Sequence, residues 1–154
     1  SLFDYIFISS GSVSLFTDMQ QCRAILKNMR GLLKNGARFV FAVDTTECRP
    51  EEDKDYKITA AVKTKEGYDL ILKSKNHYDE SARTLFSPGI YELYDNGRLL
   101  RRETMDFQTH LYEPGEMENI LREIGFSQIS VYSSFDKKPA AGCRTEMFLY
   151  ECVR

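Results

Sequence analysis

Residues 3–9 read Phe3-Asp4-Tyr5-Ile6-Phe7-Ile8-Ser9, and residues 38–44 read Arg38-Phe39-Val40-Phe41-Ala42-Val43-Asp44. The first run is too apolar on both faces for a half-exposed strand. In both runs the β-branched and aromatic content predicts a strand covered on both sides, as inside a parallel sheet. Between them comes a polar turn, Ser9-Ser10-Gly11-Ser12, followed by Met19, Cys22, Ile25, Leu26, Met29, Leu32 and Leu33 at three- and four-residue steps. That spacing predicts a helix over about residues 18–34 with one apolar stripe. Thr17-Asp18-Met19-Gln20 has the form of a capping box at its start. Lys34-Asn35-Gly36 predicts its end, a cation at the negative pole followed by a left-handed cap.

Strand, helix and strand joined by short connections make a right-handed crossover, so the two strands are expected to be parallel with the helix on one face. Ligands of such sheets bind at the carboxyl ends of the strands. Here those ends carry Ser9-Ser10-Gly11-Ser12 and Asp44-Thr45-Thr46-Glu47. These two loops are the first places to look for a site.

Phe3-Asp4-Tyr5-Ile6, the small-residue turn, the helix, the corner Leu32-Leu33-Lys34-Asn35-Gly36-Ala37-Arg38-Phe39 and the closing Asp44 resemble the fourth strand, following helix and fifth strand of class I S-adenosylmethionine-dependent methyltransferases. That family commonly writes the corner as Leu-Lys-Pro-Gly-Gly; this chain has Asn35 for the Pro and Ala37 for the second Gly. Leu111-Tyr112-Glu113-Pro114-Gly115-Glu116-Met117, running on to Ile124-Gly125-Phe126, is similar to the helix before the family's last two strands. The resemblance implies an α/β fold, a partial Rossmann-like methyltransferase sheet of strand, helix and strand, then a helix and two terminal strands. It also implies S-adenosylmethionine as cofactor of the complete enzyme, with Ser9, Ser10 and Gly11 near its methionine end, and a small-molecule methyl acceptor held by Asp44 and Tyr112. From the residues alone, Ser9, Ser10 and Gly11 read equally as a tight strand-to-helix turn, and Asp44 either orients an acceptor or caps its own loop through Thr45 and Thr46. Catalytic residues stay unassigned. The family's Gly-rich loop and the acidic residue ending its second strand are not found in this sequence. The expectation is therefore a carboxyl-terminal, substrate-side portion, inactive without a cofactor-binding half.

The 154 residues allow one domain with a real core, since a chain of this size buries about 70% of its unfolded surface. Apolar residues at 42% and charged residues at 29%, with a net charge of -2 and both signs interspersed, give no electrostatic footprint for nucleic acid. No run is long enough to span a membrane and the start lacks the basic residues of a signal peptide, so the cytoplasm is the default expectation. Cys22, Cys48, Cys143 and Cys152 are far apart, and His77 and His110 are isolated. No metal site is expected, and the cysteines read as free thiols.

After Asp44 the chain changes character. Residues 47–55 read as a solvated linker, 56–64 and 69–75 as a hairpin, and 89–94 with 99–105 as a second antiparallel pair around Asp95-Asn96-Gly97-Arg98. The expected organisation is one domain: a Rossmann-like core half from residues 1–46 and 111–154, and an inserted antiparallel β-meander at 47–110 for substrate or dimerisation. Its tyrosines read first as cross-strand packing pairs, with one or two available to a substrate pocket. Pro114 is expected as the first residue of the last helix, Gly125 as its cap and Phe126 as the contact beyond. Strands at 129–134 and 145–153 complete the core. Two functional classes follow: part of a small-molecule methyltransferase that pairs with a missing amino-terminal half, or a non-enzymatic methyltransferase-like module for interaction or dimerisation, as a homodimer.

Overall fold

The computed structural model describes residues 2–140 and 144–154. Cys143, with residues 141–142 between the two expected terminal strands, lies outside the described residues. The chain divides into two compact units, Ser1–Arg49 with Thr109–Arg154, and Pro50–Gln108.

In the first unit β1 (Phe3–Ile8) leads through a 3-10 turn (Ser12–Leu15) into α1 (Met19–Leu32) and then β2 (Leu33–Asp44). β1 and β2 are parallel, as the crossover requires. The capping box does not form. Asp18 is the N-cap instead, its Oδ1 accepting from the backbone N–H of Gln20 and Gln21 at 2.8 and 3.1 Å. The helix also stops earlier than the periodicity suggests, because Leu33 is already extended and fully buried at the start of β2. Gly36 therefore does not cap a helix. It sits inside β2 with φ 77°, where the register against β1 shifts between the pairs Phe3–Leu33 and Tyr5–Arg38, so its left-handed conformation serves a strand irregularity.

The chain returns to this unit at residue 109 and enters α2 (Glu116–Ile124), β10 (Ser127–Tyr132) and β11 (Met147–Val153). Helix α2 begins after a Gly115 N-cap, so Pro114 precedes the cap rather than opening the helix. At its other end Gly125, φ 98°, and Phe126 donate to the carbonyls of Arg122 and Leu121 at 3.0 and 2.9 Å, a Schellman closure that turns Phe126 into the core. The strand order is β1-β2-β11-β10, with β11 antiparallel to both β2 and β10. Phe39, Phe41, Val43, Tyr150 and Cys152 meet Cys22 and Leu26 of α1 and Met117, Ile120 and Leu121 of α2 in one core. Phe39 stacks on Phe126 at 5.7 Å and Phe41 on Tyr150 at 5.4 Å. On β1 only the Ile6 and Ile8 side packs against this core; Phe3, Tyr5 and Phe7 stand on the other side and are exposed. The expectation that β1 is covered on both faces is thus corrected: it is an edge strand with one face bare.

The second unit is an antiparallel sheet of β3 (Lys57–Lys63), β4 (Asp69–Ser74), β7 (Gly89–Asp95) and β8 (Arg98–Met105), in that order. Asn96 and Gly97, with φ 46° and 83°, make the turn between the last two. Two strands of three residues, β5 (His77–Asp79) and β6 (Thr84–Phe86), pair antiparallel and are too short to leave a periodic signal in the sequence. Glu92 is buried on this sheet among Lys73, Tyr94 and Arg102, which hold its carboxyl down to about 2. A short strand, β9 (Gln108–His110), carries the chain onward. No helix among the described residues is long and apolar enough to cross a membrane.

Candidate functional site

Because β1 and β2 are parallel, their carboxyl ends come together. Past Ile8 the backbone turns left-handed at Ser10 (φ 57°) and Gly11 (φ 65°), and Ser12 folds back onto the Ser9 carbonyl, its Oγ donating at 2.8 Å. At the end of β2 the Asp44 N–H donates to Oγ of the fully buried Ser14 at 2.8 Å, which ties the two loops to each other. A Cβ placed on Gly11 would stand 3.1 Å from Asp44 Oδ1. Glycine suits position 11 on two counts: the left-handed backbone angle, and a carboxylate that a side chain there would push aside by a few tenths of an ångström.

Ser9, Ser10, Gly11 and Asp44 line one cavity of about 490 Å³ together with Tyr5, Phe7 and Phe135. Burial raises the Asp44 carboxyl above its ordinary range. Among the described residues no side chain or N–H donates a hydrogen bond to it. An unpartnered, half-buried carboxylate beside apolar and aromatic walls is suited to a cation, or to the N–H or O–H of a bound molecule.

Tyr112 is placed differently. Its ring is fully buried, and its hydroxyl lies 3.6 Å from Cys22 Sγ beneath α1. What connects Tyr112 to the site is its backbone: its N–H donates to the Asp44 carbonyl at 2.9 Å, and its own carbonyl accepts from Thr46 N–H at 3.3 Å. Of the five residues singled out from the sequence, the structure therefore gathers four around one cavity and sets the fifth behind it.

Neither His110 nor a second cavity has a signal in the sequence. His110 is buried, meets Tyr112 edge-on at 4.6 Å and has its Nε2 2.8 Å from Glu116 Oε1. A cavity of about 570 Å³ opens on the helix side of the sheet, lined by Thr45, Thr46, Glu118, Val131 and Phe148 among others. Glu118 there accepts from the Tyr150 hydroxyl at 2.8 Å. These residues are spread over four segments of the chain, so no local motif announces them. Among the described residues no group of three or more metal-binding side chains occurs, and Cys22, Cys48 and Cys152 are free thiols.

No protein-family model and no curated protein sequence matches the chain. Solved structures do. An S-adenosylmethionine-dependent methyltransferase from Clostridium acetobutylicum superposes with a TM-score of 0.76 at 14% identity, over 99% of this chain and 58% of that one. The sugar N-methyltransferase of Streptoalloteichus gives 0.73 at 16% identity, over 99% and 56%. A SAM-bound amino pentose methyltransferase from Micromonospora echinaspora gives 0.66 at 14% identity, over 97% and 58%. At such identities the likeness concerns the fold: this chain has the fold of part of an S-adenosylmethionine-dependent methyltransferase. It spans less than two thirds of the length of these structures.

Proposed function

We propose that this chain is the acceptor-side, carboxyl-terminal portion of an S-adenosylmethionine-dependent methyltransferase that acts on a small molecule, and that it is inactive without the cofactor-binding portion. The observation that carries the reading is the meeting of Ser9, Ser10 and Gly11 with an unpartnered Asp44 at the carboxyl ends of two parallel strands, where ligands of such sheets bind. The residues fit the methionine end of the cofactor, since small side chains at 9–11 let backbone groups approach a charged ligand closely. When bound, the cofactor supplies an electrophilic methyl group on a sulfonium.

The chain's own residues would then position and desolvate the acceptor. Asp44 accepts a hydrogen bond from the acceptor's amine or hydroxyl and fixes the lone pair in line; its carboxylate can take the proton that the nitrogen or oxygen sheds once the new bond to carbon has formed. Tyr5, Phe7 and Phe135 present aromatic surface to the positive charge that develops on a neutral acceptor nitrogen as the new bond to carbon forms. Tyr112 acts as a positioning residue through the two backbone bonds that hold residues 44–46. Amines are the favoured acceptors because sugar N-methylation is the activity named for one of the structural neighbours.

Calorimetric titration of S-adenosylmethionine into this chain and into the longest product its gene encodes tests the reading. Binding to the longer product alone is expected. Binding to neither overturns it. A second reading, a non-catalytic module that pairs with its own copy, is favoured by the exposed Ile58 and Val62 of β3 and Leu100 of β8. It predicts a dimer in sedimentation that binds no cofactor.

A further inference from the structure

Burial alone acts on the Asp44 carboxylate, with no hydrogen bond to orient it, so its aim is set by whatever holds its backbone. Its N–H donates to Ser14 Oγ at 2.8 Å, and its carbonyl accepts from the Tyr112 N–H at 2.9 Å. The last residue of β1, Ile8, pairs with Phe41. Beyond that point Tyr112 lies beside β2 instead, in parallel register with Thr45 and bonded to Asp44 and Thr46 on either side of it. Thr45 itself donates its N–H to the Glu146 carbonyl at 3.1 Å, on the β11 side. The end of β2 therefore leans on residues 111–113, which belong to no regular strand.

What holds that segment is Glu116. Its Oε1 lies 2.8 Å from Nε2 of His110, just before the segment, and its Oε2 accepts from the N–H of Glu113, at the segment's end, at 3.1 Å. One carboxylate thus straps the chain on both sides of Tyr112. Glu116 is in turn fixed as the first residue of α2, at the positive pole of a helix whose Met117, Ile120 and Leu121 are buried in the core. The side chains of His110 and Glu116 are only 2% and 13% exposed, so water competes little for their bond. His110 Nδ1 has no partner among the described residues, which leaves Glu116 and the edge contact with Tyr112 to orient the ring.

We infer that Glu116 and His110 are positioning residues for Asp44: the clamp they close around Tyr112 fixes the backbone bonds that aim the carboxylate into its cavity. The inference rests on the acceptor-side role given above to Asp44 and extends it to two residues that do not line that cavity. Opening the clamp frees residues 111–113, and 44–46 with them, while the buried face of α2 stays packed. A misplacement of about 1 Å caused from a distance is enough to cost about a hundredfold in rate.

Amide hydrogen exchange and an NMR titration of the Asp44 carboxyl, on this chain and its variants, test the clamp. In Glu116→Ala, exchange of the Tyr112 and Thr46 amides is expected to quicken by about tenfold or more while the central residues of β2 and β11 keep their protection. The Asp44 carboxyl is expected to fall back toward its ordinary 3.8 as water reaches it. His110→Phe, which cuts one strap and keeps a ring against Tyr112, is expected to show the same pattern more weakly. Glu116→Gln is expected to restore most of the protection, because its oxygen still accepts from Glu113 and its NH2 can donate to His110 in the other tautomer. Uniform quickening across the sheet marks a residue that only stabilises the fold, and overturns the inference. So do unchanged exchange at Tyr112 and Thr46, an Asp44 that titrates as before, and equal loosening in Glu116→Gln and Glu116→Ala, which would trace the effect to lost charge. Titration of S-adenosylmethionine into the longest product of the gene separates this from the reading beneath it. No cofactor binding with the clamp behaving as expected sinks the methyltransferase reading and leaves the clamp standing; cofactor binding with Asp44 unmoved does the reverse.

Discussion

β1 and β2 are written in nearly the same chemical language, Phe-Asp-Tyr-Ile-Phe-Ile against Arg-Phe-Val-Phe-Ala-Val, yet they hold opposite positions in the fold. β2 has strand neighbours on both sides, and its Phe39 and Phe41 are fully buried; β1 has one neighbour, and Phe7 remains 65% exposed. Apolar composition thus reports a strand in need of cover. It does not report what supplies the cover. A central strand finds it within this chain, while β1 leaves Phe3, Tyr5 and Phe7 exposed.

Truncating one ring on each strand should separate the two most. Phe41→Ala removes a fully buried ring packed on Phe39 and Tyr150 and should cost about 3–5 kcal/mol. Phe7→Ala, in this chain alone, should cost no more than about 0.5 kcal/mol. Urea denaturation of both variants measures the contrast, and equal losses would mean that β1 is as well covered as β2. A smaller effect is expected in the helix that joins the strands. Asp18→Ala deletes the N-cap of α1 and should lower stability by about 1 kcal/mol, whereas Asp18→Asn should change it by only a few tenths of that.

Smaller again is the ion pair of Asp4 with Lys34 Nζ at 2.7 Å, which links the start of β1 to β2. Both side chains are largely exposed, so Asp4→Ala should cost less than about 0.5 kcal/mol, and nothing in 1 M salt, where charges are screened beyond about 3 Å. The smallest expected change has the opposite sign. Desolvation raises the Asp44 carboxyl, so the folded state holds that proton more tightly than the unfolded chain, and native stability falls as pH rises above the unfolded value of 3.8. Asp44→Asn should therefore stabilise the chain slightly at pH 7. Thermal melts should show that gain vanish as pH drops below 3.8, and a gain that persists there would place its cause elsewhere.

The Gly125-Phe126 closure, the Asn96-Gly97 turn and the Asp44 end of β2 were legible because each depends on a backbone angle or a periodicity that a few adjacent residues impose. Asp18 and Gly36 were visible, but their roles were not. Thr17 and Asp18 both suit an N-cap, and in the fold it is Asp18 whose carboxylate meets the first free N–H groups of the helix. Asn35-Gly36 suits a helix cap, until Leu33 finds a buried place at the head of β2. The same holds for Tyr112, whose ring could face a ligand or a core; the stacking of α1 and α2 over the sheet directs it to Cys22.

The sequence by itself determined the parallel crossover, the antiparallel meander, the last helix with its cap, and the two loops where a site could form, since these follow from local angles and from the period of apolar residues. That β1 is an edge, that Gly11 lies beside the Asp44 carboxylate, and that Tyr5 and Phe7 stay exposed were decided by tertiary structure alone. Those facts depend on which residues distant in the chain become neighbours, and no local pattern encodes that.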